Sequence, residues 1–241
     1  MIYGIISDIH SNIEALNSVM DDAKDRGAEG FICLGDIVGY GANPHECIAK
    51  VRSSSQFVVA GNHDYAVCQK TDITYFNSFA RRAVEWTLQE LDEGEKQYLS
   101  GLPLVYHGPN FSLAHGSLNH PEDWEYILTE DDADRSFALL EKKVLFVGHS
   151  HLPGVFTYQE ERIRYDEASE MSLGNSSRYI VNVGSVGQPR DMDPRACYCL
   201  FDEALGHVSI HRVAYNFRET QQKILDAKLP DILARRLELG R

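Results

Sequence analysis

Five short clusters of acidic, amide and imidazole side chains punctuate this chain, and each follows directly on a short apolar run of strand character. Asp8-Ile9-His10 follows residues 2–6, and Gly35-Asp36 follows 31–34. Gly61-Asn62-His63-Asp64 follows 57–60, Ala114-His115-Gly116 follows 111–113, and Gly148-His149-Ser150-His151 follows 144–147. Between the first three runs lie stretches of helical spacing at about 12–26 and 44–51, one closed by Gly27 and the other opened by Pro44. This βαβαβ order predicts an α/β fold whose parallel sheet carries helices on its faces. In such sheets the carboxyl ends of the strands line the crevice where ligands bind. Clusters far apart along the chain are therefore predicted to meet there.

Further helices are predicted at about 77–91 and 131–140, the latter opening on acids that suit a helix N-terminus. From 104 onward the chain breaks into short strand-like runs at 104–106, 111–113, 144–147, 154–158, 178–183, 196–201 and 208–213. They predict a second, mixed or antiparallel sheet, and residues 216–239 then return to helical spacing. No repeat or linker divides the chain. The expected organisation is one domain over 1–241, two sheets flanked by helices, with C-terminal helices over about 216–239 packed on it.

Bulk properties exclude several partners. The net charge of −13 over 241 residues repels nucleic-acid backbones, whose binding rests on Lys and Arg, so a long nucleic acid is disfavoured. The five cysteines form no CxxC and are read as buried thiols of a reducing compartment. The N-terminus has no basic segment ahead of its apolar run, and no apolar stretch is long enough to span a bilayer. A cytoplasmic protein without membrane contact is expected, and self-association is left open.

A lone His or Asp after a strand is ordinarily a cap or a surface residue, and His45, His107, His120, His207 and His211 are read that way. The convergent set has another meaning. Carboxylate, amide oxygen and neutral imidazole suit Mn, Fe, Zn or Ni, with no thiolate to favour softer metals. Seven or more such groups exceed the needs of one ion, whereas two ions sharing a carboxylate would use them all. Glycines beside Asp36, Asn62, His115 and His149 let short side chains reach a common point. If strand geometry continues, Asp8 and His10 project to the same side, as do His149 and His151.

Asp8-x-His10, Gly35-Asp36, Gly61-Asn62-His63-Asp64, His115 and Gly148-His149-x-His151 together resemble the signature of the calcineurin-like metallophosphoesterases, complete and in order. The resemblance spans about residues 2–200. It implies a four-layer α/β/β/α sandwich of two mixed sheets flanked by helices. It also implies two divalent ions, Mn²⁺ first, with Fe, Zn, Ni and Mg as alternatives. Asp8, His10, Asp36 and His151 would hold one ion and Asp36, Asn62, His115 and His149 the other. His63 would stand near the leaving group as an imidazolium oriented by Asp64. Such a centre hydrolyses a phosphate ester by attack of a hydroxide held between the metals.

Departures from the pattern narrow the substrate. Phosphoprotein phosphatases of the superfamily carry an Arg soon after the GD motif, where Tyr40 stands in Gly35-Asp36-Ile37-Val38-Gly39-Tyr40-Gly41. That stretch, with Ser7-Asp8-Ile9-His10-Ser11-Asn12 and 182–190, is similar to the bacterial and archaeal predicted phosphodiesterase group, related to dinucleoside polyphosphate hydrolases. The expected substrate is a small phosphodiester or a nucleotide-type phosphoanhydride, with Tyr40 stacking on a base or capping the pocket and Asn12 and Arg190 meeting phosphate oxygens. Tyr40 and Arg190 have plainer readings, Tyr40 as a packed loop residue and Arg190 as half of a surface ion pair with Asp191 or Asp193. A phosphomonoesterase of the same chemistry and a non-catalytic interaction module stay open as alternatives.

Overall fold

The computed structural model describes residues 1–167 and 169–241. Its first half runs β1 (Ile2–Ile6), α1 (Ile13–Asp25), β2 (Gly30–Cys33), α2 (Pro44–Ser54) and β3 (Ser55–Val58), followed by α3 (Asn62–Val67), α4 (Ser78–Glu90) and α5 (Glu93–Ser100). Then come β4 (Val105–His107), β5 (Phe111–Ala114), α6 (Glu130–Leu139), β6 (Val144–Val147), β7 (Gly154–Gln159), β8 (Arg162–Asp166), β9 (Glu170–Ser172) and β10 (Arg178–Asn182). The chain closes with β11 (Ala196–Asp202), β12 (His207–Val213), α7 (Phe217–Asp226) and α8 (Asp231–Leu239).

The strands form two six-stranded sheets, ordered β3-β2-β1-β11-β12-β9 and β4-β5-β6-β10-β7-β8. In the first, β1, β2 and β3 are parallel and β11 returns antiparallel to β1. In the second, β5, β6 and β10 are parallel, flanked by antiparallel β4 and β7. Both are mixed sheets, as the resemblance implies, but the runs at 196–201 and 208–213, expected in the second sheet, join the first as β11 and β12 beside β1, so that sheet is not wholly parallel.

Neighbouring residues on one strand serve different cores, because side chains alternate across a strand. Ile5, Ile32, Phe146, Val181 and Phe201 fill the space between the sheets. Ile6, Cys33 and Tyr198 instead face Leu16, Val19, Met20 and Val51 of α1 and α2. Val147 and Ile180 face Phe137 of α6 on the far side. Runs such as Ile5-Ile6 and Phe146-Val147 are apolar throughout because both faces are covered, giving four layers.

Residues 216–239 form two helices, parted where Lys228 turns to φ +57° and Pro230 has no N–H to continue α7. Several elements depart from expectation. Helix α3 starts on Asn62 itself, and α5 is opened by a capping box between Asp92 and Glu95. Neither helix was foreseen, nor were β8 and β9. Helices α7 and α8 bury Ile224, Leu233 and Leu237 against Tyr40, Ala80 and Ala83, covering one side of the crevice. No helix among the described residues is long and apolar enough to cross a membrane.

Candidate metal centre

The strands stop short of their polar clusters. Asp8, His10, Ser11, Asp36, Tyr40, His149 and His151 all lie at positive φ, between +50° and +64°. The expectation that Asp8 and His10, or His149 and His151, share a side by strand alternation is therefore corrected. These are left-handed turns, which Asp and His tolerate better than bulkier residues. Cross-bonds hold the turns in place: Asp8 N–H donates to Gly35 O at 3.0 Å, His10 N–H to Asp36 O at 2.9 Å and Gly187 N–H to Asp8 O at 2.9 Å. Gly61 must be glycine, since a Cβ there would sit 2.7 Å from Asp36 Cγ.

Four buried imidazoles are each anchored by one ring nitrogen on a backbone carbonyl. His10 Nδ1 meets Val38 O at 3.2 Å, His115 Nδ1 meets Leu34 O at 2.8 Å, His149 Nε2 meets Trp124 O at 2.8 Å, and His151 Nδ1 meets Gln188 O. A carbonyl only accepts, so those nitrogens carry the protons and the others turn lone pairs inward. The inward nitrogens meet in pairs, His10 Nε2 with His151 Nε2 at 3.2 Å and His115 Nε2 with His149 Nδ1 at 3.1 Å.

The carboxylates complete two sets. Asp8 Oδ1 lies 3.2 Å from His151 Nε2, while Asp36 Oδ2 lies 3.7 Å from His10 Nε2 and 3.4 Å from His115 Nε2. Each acid spends its other oxygen on a backbone N–H, Asp8 Oδ2 on His149 and Asp36 Oδ1 on His63. Asp8 Oδ1 and Asn62 Oδ1 are buried without a hydrogen-bond partner. Ligands at about 2.1 Å from a shared cation stand about 3.0–3.4 Å apart, so these separations, except the wider one from Asp36 to His10, fit cation coordination. Asp8, His10 and His151 form one group able to hold a cation, Asp36, His115 and His149 another, and His10, Asp36 and His63 a third that overlaps both. Asp36 faces both.

Electrostatics agree for three of the four rings, with His115 the exception. Burial holds His10 and His151 below the usual imidazole range and His149 at about 3, so all three are neutral donors. His115 is pulled down by burial but raised more by Asp36 and Asp8, to about 9. Burial would raise Asp36, yet the surrounding imidazoles, His115 foremost, hold it well below the carboxylate range.

His63 sits beside this cluster, its ring 4.5 Å from Tyr40, 4.9 Å from His10 and 5.1 Å from Phe76, with Nδ1 buried and unpartnered. Burial brings it to about 4, so it is neutral at pH 7 and not the imidazolium expected. Asp64 does not reach the ring. Its carboxylate accepts from Ile37 N–H at 2.9 Å, Val38 N–H at 3.2 Å and Gly61 N–H at 3.0 Å, bracing the loop that carries Asp36.

The three expected substrate contacts fare differently. Asn12 is spent: it caps α1 through Ala15 N–H, accepts from Thr220 Oγ1, and donates to Gly187 O and Tyr215 Oη. No donor remains for a phosphate. Tyr40 is 7% exposed and packs on His10 as well as His63, both at 4.5 Å, so it backs the imidazoles. Arg190 donates to Gln188 Oε1 at 3.2 Å and approaches Tyr40 Oη at 3.5 Å. Asp191 and Asp193 pair instead with Arg212 and Arg195, which removes its plainer reading.

Sequence reasoning missed the aromatic wall beside the cluster. Tyr126 stacks on His149 at 4.0 Å and 11°, and with Tyr75, Phe76 and Trp124 it lines a cavity of about 760 Å³ that reaches Asn62, His63 and His149. These aromatics sit singly in polar loops, with no periodicity to mark them. A second cavity of about 740 Å³ opens elsewhere, beside Lys143 and Gly206, and includes none of the clustered ligands.

Comparison with known proteins bears on this centre. The model of the calcineurin-like phosphoesterase superfamily domain matches residues 1–204. The chain is 42% identical over 241 residues to an uncharacterised protein of Methanocaldococcus jannaschii, covering 98% of this chain and 97% of that one. The crystal structure of a metallophosphoesterase from Sphaerobacter thermophilus superposes with a TM-score of 0.88 at 38% identity, covering 100% and 99% of the two chains. A hypothetical protein of Pyrococcus horikoshii shares the fold at a TM-score of 0.80 and 20% identity, covering 100% and 98%.

Proposed function

This chain belongs to the calcineurin-like phosphoesterase superfamily, a metal-dependent phosphoester hydrolase by that membership, and from that premise we propose that it cleaves a small phosphodiester or a nucleotide-type phosphoanhydride such as a dinucleoside polyphosphate. The two imidazole pairs closing on Asp8 and Asp36 carry the reading. Asp8, His10, Asp36 and His151 would hold one divalent ion and Asp36, Asn62, His115 and His149 the other. Mn²⁺ is the ion we propose, on the oxygen and imidazole donor set. When bound, such a pair supplies a water-derived nucleophile at neutral pH and offsets charge on the phosphoryl oxygens.

The chain's own groups supply the rest. Asp36, fixed by the His63 N–H, sets the spacing of the two ligand sets. His63 lines the cavity and would hydrogen-bond the departing oxygen through its ring N–H. Arg190, held by Gln188 and Tyr40, contributes a guanidinium for phosphoryl oxygens. The cysteines are all unpaired, in keeping with activity in the cytoplasm.

The Mn-loaded protein is expected to hydrolyse bis(p-nitrophenyl) phosphate faster than p-nitrophenyl phosphate. The reverse order would make it a phosphomonoesterase. Two bound ions with no turnover of either ester, nor of a panel of nucleotides, would leave a non-catalytic interaction module.

A further inference from the structure

The cavity beside the imidazole cluster has two properties that the metal centre does not explain. Its walls are aromatic and partly bare: Tyr75 is 89% exposed and Tyr126 44%. Its floor is fixed, since Trp124 Nε1 donates to Thr71 Oγ1 at 3.2 Å and ties the two loops together. Its charge is of the wrong sign for phosphate. Asp72, Glu122 and Asp123 line it against one cation, Lys70. That lysine is already engaged, donating to Ser100 O at 2.9 Å and lying 4.0 Å over the Tyr65 ring.

A phosphate chain running from the centre, past Arg190, into this cavity would meet three carboxylates against the single ammonium of Lys70. A flat, uncharged ring would stack on Tyr75 or Tyr126, and its N–H and O–H groups would find acceptors in the same carboxylates. The volume suits a ligand of that size. We propose that the cavity holds a nucleoside, esterified to the phosphoryl group at the metal centre, so that the substrate carries its charge on that one phosphoryl. The inference rests on the hydrolase reading above and, within it, favours the phosphodiester over the dinucleoside polyphosphate.

The test separates the two. Trp86 and Trp124 are the only tryptophans, and Trp124 lines the cavity, so binding is read by fluorescence without catalysis. Adenosine alone should quench saturably, ribose should not, and Trp124→Phe should abolish the signal. Tyr75→Ala, at an exposed position that does not threaten folding, should weaken adenosine binding about tenfold. In turnover, the p-nitrophenyl ester of adenosine 5′-phosphate should exceed diadenosine tetraphosphate in kcat/KM. Absence of quenching in a protein that still hydrolyses bis(p-nitrophenyl) phosphate would overturn the nucleoside assignment, as would preference for the tetraphosphate. Quenching by adenosine with no phosphoester hydrolysed would uphold the cavity and overturn the hydrolase reading.

Discussion

Single residues in the crevice divide by whether their polar atoms are already spent. His63 has a buried ring nitrogen without a partner and faces the cavity. His63→Ala should keep both metals and lose about 10²- to 10⁴-fold in kcat, checked by metal analysis beside steady-state rates; loss of metal would make it a ligand. Its position beside His10 and Asp36 makes that contrast a real one. Asn12 has no such vacancy. Asn12→Ala removes the cap of α1 and should cost about 1 kcal/mol by denaturant unfolding while leaving KM within twofold. A large rise in KM would restore it to the substrate site. Residue types and order marked the cluster, because metal chemistry restricts which side chains can serve, and the resemblance to the metallophosphoesterases separated the seven ligand candidates from His63. The roles expected of Asn12 and Asp64 were not legible, since both are settled by backbone partners from distant loops.

At the scale of elements, pairing across the layers gives stability a pH signature. Asp22 on α1 accepts from Tyr198 Oη of β11 at 2.7 Å and from Arg26 at 2.8 Å. Burial would raise this carboxyl, but those hydrogen bonds hold it below its usual value. A depressed carboxyl contributes stability above its unfolded pKa of about 3.9 and loses it as pH falls through the folded value. Asp22→Asn should therefore lower Tm at pH 6, with the difference from wild type shrinking as pH falls toward 3; a gap constant with pH would deny the linkage. Strands buried on both faces were legible as unbroken apolar runs. Helix α3 was not, because Gly61-Asn62-His63-Asp64 reads as a turn, and β8 and β9 were not, because their exposed faces blur the alternation.

Across the whole molecule, a net charge of −13 surrounds a site built for anions, so the protein depends on its cations to attract substrate. Removing metal should also destabilise the fold, since buried Asp8 Oδ1 and Asn62 Oδ1 have no other partner. Chelation should lower Tm, and saturating Mn²⁺ at about 100 times Kd should restore about 2.7 kcal/mol; an unchanged melting curve would contradict this. The most direct measurement is metal stoichiometry with anomalous diffraction on Mn-soaked crystals. Two ions per chain are expected, about 3.5–4 Å apart with Asp36 between them, and Asp36→Asn should disturb both. A single ion, or two that do not share Asp36, would contradict the paired centre.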